Sequence, residues 1–202
     1  MKPVLSLDME NPLEFIDKYG SFQHVKIGHS VAIYGKSVLE EFQKRNLKVI
    51  VDLKFVDIPS TVARSIKAWD HECVEGFTVH SACGIDSIRA ALESTDKLIF
   101  VVLKLTSLTG DLAEYLDLIK SLRILGCSFV LPGKWAVQLR KQIPGKILVP
   151  GVRIKRGADD QKDVVHLSEI MNVADYAVLG REIYKSPDPA KAMDEVRRML
   201  NA

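Results

Sequence analysis

Eight times along the chain, a short run of β-branched and aliphatic residues gives way to a longer stretch with apolar residues at helical spacing, and this alternation most constrains the fold. The runs cover residues 4–7, 24–27, 49–53, 76–79, 98–105, 128–131, 146–149 and 176–179. Helical patterns occupy 31–45, 85–92, 112–125 and 135–142, the first of them marked by Val31, Ile33, Val38, Leu39 and Phe42. A last helix is expected after Asp188, which caps, and Pro189, which suits the first helical position; its face carries Val196, Met199 and Leu200. This is an α/β chain built from repeated βα units around a parallel sheet. Eight units fit a single closed (β/α)8 TIM barrel, although 202 residues lie at the lower edge of the size range for that fold. The alternative is an open doubly wound sheet, but no GxGxxG follows the first run. No linker-like or low-complexity stretch interrupts the sequence, so residues 1–202 read as one domain.

Charge excludes some partners. With 28 basic and 26 acidic side chains, a net charge of +2 supplies no large field for nucleic acid or anionic lipid. The longest apolar run, LIFVVL at 98–103, falls far short of the roughly 20 residues that span a bilayer. The opening MKPVLSLDMENPLEF meets Asp8 and Glu10 too early for a secretory signal. Cys73, Cys83 and Cys127 show neither CxxC nor zinc-like spacing and are expected to be reduced thiols in a cytoplasmic protein.

In a barrel the active site gathers at the C-terminal ends of the strands. Asp8, Lys26, Asp52, Lys54, His80, Arg153 and the pair Gly180–Arg181 all fall at such ends. Singly, each is ordinary loop polarity; together, charge at one face of almost every strand is not explained by solvation. Asp52 and Lys54 share a strand face by the period of two, and Asp57 follows just beyond. Desolvating such ions costs several kcal/mol each unless they pair, so an array kept at a barrel mouth points to use of its field. For Asp57 the start of a helix is an equally physical role, since a carboxylate is favoured there.

The stretch DLKFVDIPST, residues 52–61, resembles the DxKxxDIP(N/S)T signature of the orotidine 5′-monophosphate decarboxylase family. Asp8 in LSLD, Lys26 in VKIG, the PGVR turn at 150–153, GADDQ at 157–161 and LGR at 179–181 resemble further motifs of that family, in the same order. The resemblance implies a (β/α)8 barrel acting as a homodimer without metal or organic cofactor. The implied reaction is loss of CO2 from orotidine 5′-monophosphate, the last step of UMP synthesis. It further implies that Lys54 stabilises the carbanion at C6 and protonates it, and that Asp52 flanks the departing carboxylate. Lys26 and Asp57 would complete an alternating charged chain with them. Asp8 and Lys26 would bind ribose hydroxyls, with Asp57 and Thr61 reaching across the dimer. Arg181, the amides around Gly180, and Gln161 would grip the phosphate. Arg153 is counted with the binding residues and opens a candidate lid, 153–162, that includes Lys155 and Arg156. In the LTSLTG turn at 105–110, Thr109 is favoured as the hydroxyl that reads the base, with Thr106 and Ser107 as substitutes and plain turn formation as the alternative. His80 and Lys104 are expected to be structural.

Two other readings remain. A magnesium-dependent sugar-phosphate enzyme of the same superfamily would reuse a DxKxxD array, but Ile58–Pro59–Ser60–Thr61 follows the orotidylate pattern. A catalytically dead nucleotide-binding barrel has no evident reason to keep Lys26, Asp52, Lys54 and Asp57 together.

Overall fold

The computed structural model describes residues 1–29, 31–105, 110–155 and 164–201, and of Val31 and Ala32 the backbone alone. Eight parallel strands close into a barrel: β1 (Lys2–Ser6), β2 (His24–Ile27), β3 (Lys48–Phe55), β4 (Val74–His80), β5 (Leu98–Val102), β6 (Ser128–Val130), β7 (Ile147–Val149) and, after two short strands, β10 (Tyr176–Leu179). Neighbours in sequence are neighbours in space, and β10 returns to β1 to close the ring. The short strands β8 (Val152–Arg153) and β9 (Val165–His166), not foreseen from the sequence, pair with each other outside the barrel. Among the described residues no helix is long and apolar enough to cross a membrane.

The strands form where expected, with shifted ends. β5 stops at Val102, short of 105, because its ladders to β4 and β6 both end there. The pattern at 31–45 yields two helices, Val31–Tyr34 and Val38–Lys44, because Gly35 between them adopts φ +63°, outside the helical region. The segment at 112–125 enters as a 3-10 turn, Leu112–Tyr115, under a capping box of Asp111 and Glu114, and continues as the helix Leu116–Ile124. Helices Pro12–Tyr19 and Pro59–Trp69 start with proline at their first position, a signal legible in sequence. The last helix, Pro189–Asn201, is capped as foreseen: the Lys191 amide donates to Asp188 Oδ1 at 3.0 Å.

Two apolar compartments follow from the strand period of two. Outward residues such as Leu5, Val49, Val51, Phe129, Ile147 and Leu179 pack under the helices, while Val4, Ile50, Phe100, Leu148, Tyr176 and Val178 form a second cluster inside the barrel. Gly76 on β4 makes room for that inner layer, since a Cβ there would sit 2.9 Å from the Phe100 ring.

Beneath the inner cluster a polar group closes the barrel floor. The Glu75 carboxylate receives Lys2 Nζ at 2.7 Å, His24 Nδ1 at 2.7 Å and the Tyr176 hydroxyl at 2.9 Å. Burial pushes this carboxyl up, but the hydrogen bonds from His24, Lys2 and Tyr176 outweigh it and hold the pKa at about 2, against an ordinary 4.5. A pKa depressed by folding stabilises the protein above the ordinary value, and the contribution is lost as pH falls from about 4.5 towards 2. Glu75→Gln is therefore expected to cost about 1–3 kcal/mol at pH 7. Urea unfolding should show the gap between parent and variant closing as pH approaches 2; an equal gap at both pH values would remove Glu75 from this role.

Candidate active site

The strand period that fills the barrel with apolar side chains also builds its mouth. Continuing inward positions upward places Ser6 and Asp8 above Val4, Lys26 above His24, and Asp52 and Lys54 above Ile50. Val102 and Lys104 follow Phe100 in the same way, and Gly180 follows Val178. These residues line a cavity of about 680 Å³ at the C-terminal ends of the strands.

Across β1, β2 and β3 the charges alternate in one continuous run. Lys26 Nζ lies 3.1 Å from Asp8 Oδ2 and 2.7 Å from Asp52 Oδ2, and Lys54 Nζ lies 2.9 Å from Asp52 Oδ1. Two carboxylates and two ammoniums leave the run neutral overall, which offsets part of the cost of burying Asp52 and Lys26, 7% and 8% exposed. For both Asp8 and Asp52, burial acts to raise the pKa, but Lys26, joined by the Ser6 hydroxyl at Asp8 and by Lys54 at Asp52, outweighs it, and both carboxyls stay below the usual range. Burial acts to lower Lys26, but attraction to Asp52 and Asp8 prevails and its pKa is raised. The site therefore holds its acids ionised and Lys26 protonated at neutral pH.

Local backbone is unusual at the end of this run. Lys54 has φ +48°, left-handed for a residue with a side chain, at a cost of order 1–3 kcal/mol. Its amide donates to Thr78 Oγ1 on β4 at 2.9 Å. At the other end, the Ser6 hydroxyl donates to Asp8 Oδ2 at 2.6 Å. Gly28 completes that corner: a Cβ there would lie 2.9 Å from Asp8 Oδ1.

The wall that continues from β1 past β10 is basic. Arg153, Arg181, Gly180 and Tyr184 line it, with Arg181 opening the short helix Arg181–Tyr184. Glu182 on that helix secures the turn after β8: its Oε1 accepts from the amides of Ile154 at 3.3 Å and Lys155 at 3.2 Å, and its Oε2 lies 3.9 Å from Arg153 Nε. Lys104 lines the cavity with its ammonium 5.2 Å from the centre of the Trp135 ring, a cation–π distance. Chemically, the cavity offers a fixed cation beside a fixed carboxylate and, lining the same space, guanidinium groups suited to an oxyanion.

Of the residues singled out from sequence, Asp8, Lys26, Asp52, Lys54, Arg153, Gly180 and Arg181 come together in this cavity. Asp57 and Thr61 do not line it. The chain leaves β3 at Phe55 and carries Asp57 to the surface, where its Oδ1 accepts from the Ile58 amide at 2.7 Å at the start of the helix Pro59–Trp69. Within one chain, the charged run is thus Asp8–Lys26–Asp52–Lys54, without Asp57. Thr61 Oγ1 accepts from Arg64 at 3.3 Å on the same helix. Thr109, with Thr106 and Ser107, and Gln161, with most of the candidate lid, lie outside the described residues. His80 Nδ1 accepts from the Ala82 amide at 3.1 Å, and burial together with the Lys54 charge lowers its pKa. Sequence reasoning missed Ser6, Thr78 and Tyr184 as parts of the site and left Lys104 as structural, although Ser6 and Thr78 obey the strand period that exposed Asp52 and Lys54.

The chain resembles known proteins over nearly its whole length. Residues 1–196 match the model of the orotidine 5′-phosphate decarboxylase / HUMPS family. The chain is 59% identical over 199 residues to orotidine 5′-phosphate decarboxylase of Thermotoga maritima, covering 98% of this chain and 99% of that protein. It is 33% identical over 227 residues to the enzyme of that name from Wolbachia pipientis subsp. Culex pipiens, covering 99% of each. A crystal structure of orotidine 5′-phosphate decarboxylase from Thermotoga maritima superposes with a TM-score of 0.90 at 56% identity, covering 98% of both chains. With the closed barrel, the paired carboxylates and ammoniums at its mouth and these relatives, the chain belongs to the orotidine 5′-phosphate decarboxylase / HUMPS family and is a decarboxylase of that family.

Proposed function

We propose that this chain decarboxylates orotidine 5′-monophosphate to uridine 5′-monophosphate in pyrimidine biosynthesis, with Lys54 as the acid that completes the reaction. The observation that carries the reading is the run Asp8–Lys26–Asp52–Lys54, ion-paired end to end in one cavity. The bond from C6 to the carboxylate breaks, CO2 departs, and the electron pair stays on C6. The Lys54 ammonium, held 2.9 Å from Asp52 Oδ1, lies beside the developing negative charge and then transfers a proton to that carbon. Because Asp52 and Lys26 are fixed before substrate arrives, little reorganisation accompanies the charge that forms. No metal or organic cofactor enters this scheme.

Arg181 and the amides around Gly180 suit the phosphate, with Gln161 from the preceding loop and Arg153 at its base. Phosphate is remote from the reacting carbon, so its binding energy is available for ordering the site. Asp8 and Lys26 take the ribose hydroxyls, and Thr109 the base. Asp57 and Thr61 stand off their own cavity in a position suited to a neighbouring subunit's site, and the exposed Val56 and Ile58 beside Asp57 favour a homodimer joined along this edge. A cytoplasmic location fits the biosynthetic role.

The first test follows loss of orotidine 5′-monophosphate absorbance in excess EDTA. Turnover with the nucleotide and very slow turnover with orotidine is the expected result; no turnover with the nucleotide would defeat the proposal. Lys54→Ala is expected to lower kcat by about 10³-fold or more while UMP still binds, as isothermal titration would show. Arg181→Ala is expected to raise KM about 10–100-fold, and the penalty should disappear with substrates lacking the phosphate.

A further inference from the structure

Thr78 stands where two irregularities of the barrel coincide. Between the pairs Val51–Phe77 and Phe55–Val79, three residues of β3 (Asp52, Leu53 and Lys54) face a single residue of β4, Thr78. The surplus backbone on β3 bulges at the mouth of the barrel, and there Lys54 takes its left-handed φ of +48°. A side chain of β4 meets the bulge: the Lys54 N–H donates to Thr78 Oγ1 at 2.9 Å. The same hydroxyl donates its own proton to Asp52 Oδ1 at 2.9 Å, the oxygen that holds Lys54 Nζ at 2.9 Å.

One hydroxyl thus acts on both ends of Lys54. It holds the backbone directly, and it holds the ammonium through Asp52, whose carboxylate it stops from rotating. At 1% exposure water does not reach Thr78 to take over either bond. A purely packing role would need only the shape of the side chain, which valine shares. The geometry serves a further purpose because the hydroxyl uses its donor and its acceptor, each on a different part of the Asp52–Lys54 unit.

We propose that Thr78 is a positioning residue for the decarboxylation, keeping the Lys54 backbone in its left-handed conformation and its ammonium aimed into the cavity. The kinetic part of this proposal rests on the decarboxylase reading given above; the backbone part does not.

The test compares Thr78→Val, which keeps shape and loses the hydroxyl, with Thr78→Ser, which keeps the hydroxyl. Thr78→Ala replaces the valine variant if that one fails to fold. For the hydroxyl-free variant, kcat on orotidine 5′-monophosphate should fall about 10–100-fold while KM and UMP affinity stay within about threefold of the parent. Serine should recover kcat to within about threefold. Hydrogen exchange at the Lys54 amide should be at least about tenfold faster without the hydroxyl and near the parent rate with serine. A hydroxyl-free variant with parental kcat, or a serine variant as impaired as the valine one, would overturn the proposal. So would a fall in kcat that merely tracks a loss of UMP affinity and melting temperature. If the parent itself fails to turn over the nucleotide, the decarboxylase reading falls, and the exchange rate decides alone: an unchanged Lys54 amide in the hydroxyl-free variant defeats the positioning role as well.

Discussion

The buried Asp52 carboxylate is the point on which the site depends. Its two oxygens are divided between partners, Oδ2 to Lys26 and Oδ1 to Lys54 and Thr78, so elements from β2, β3 and β4 meet on one group. A carboxylate 7% exposed tolerates loss of a partner poorly, because the remaining charge stays buried without compensation. Pairing and placement are therefore the same requirement here. The arrangement that makes the ion tolerable inside the barrel also holds the Lys54 ammonium at the lining of the cavity.

The barrel supplies this arrangement by simple periodicity. A side chain two residues further along a strand points the same way and stands one layer higher. On β3 the sequence Ile50, Asp52, Lys54 passes from apolar layer to charged mouth in three inward positions, and Val4 and Ser6 on β1, with Asp8 just beyond it, do the same. Where the period fails, between β3 and β4, the irregularity falls at Lys54. An enzyme that must hold one cation in a fixed attitude has a reason to depart from regular pairing at that place.

Much of this was legible in the amino-acid sequence because strand order and site placement both rest on short-range patterns. The eight strand runs, the barrel and the alignment of Asp52 with Lys54 come from hydrophobic alternation and a period of two. What stayed hidden depends on tertiary geometry. Nothing in TVHSACG says that the Thr78 hydroxyl will reach a bulge on another strand, and nothing around Glu182 says that it will receive the amides of Ile154 and Lys155. Asp57 shows where a motif alone says little about placement: its neighbours Asp52 and Lys54 lie in the cavity, but the chain turns out of β3 and carries Asp57 to the surface. The break at Gly35 was missed because the apolar spacing continues across it while the backbone does not.

The apolar cluster inside the barrel, Val4, Ile50, Phe100, Leu148 and Val178, lies between two charged layers, the Glu75 floor and the Asp52 mouth. It acts as a spacer between them as well as a core in the packing sense. Neither charged layer shares a hydrogen-bonding partner with the other among the contacts described, so substitutions in the two layers should combine nearly additively. The floor can then be altered without breaking an ion pair of the mouth, which leaves the two ends of one barrel separately tunable.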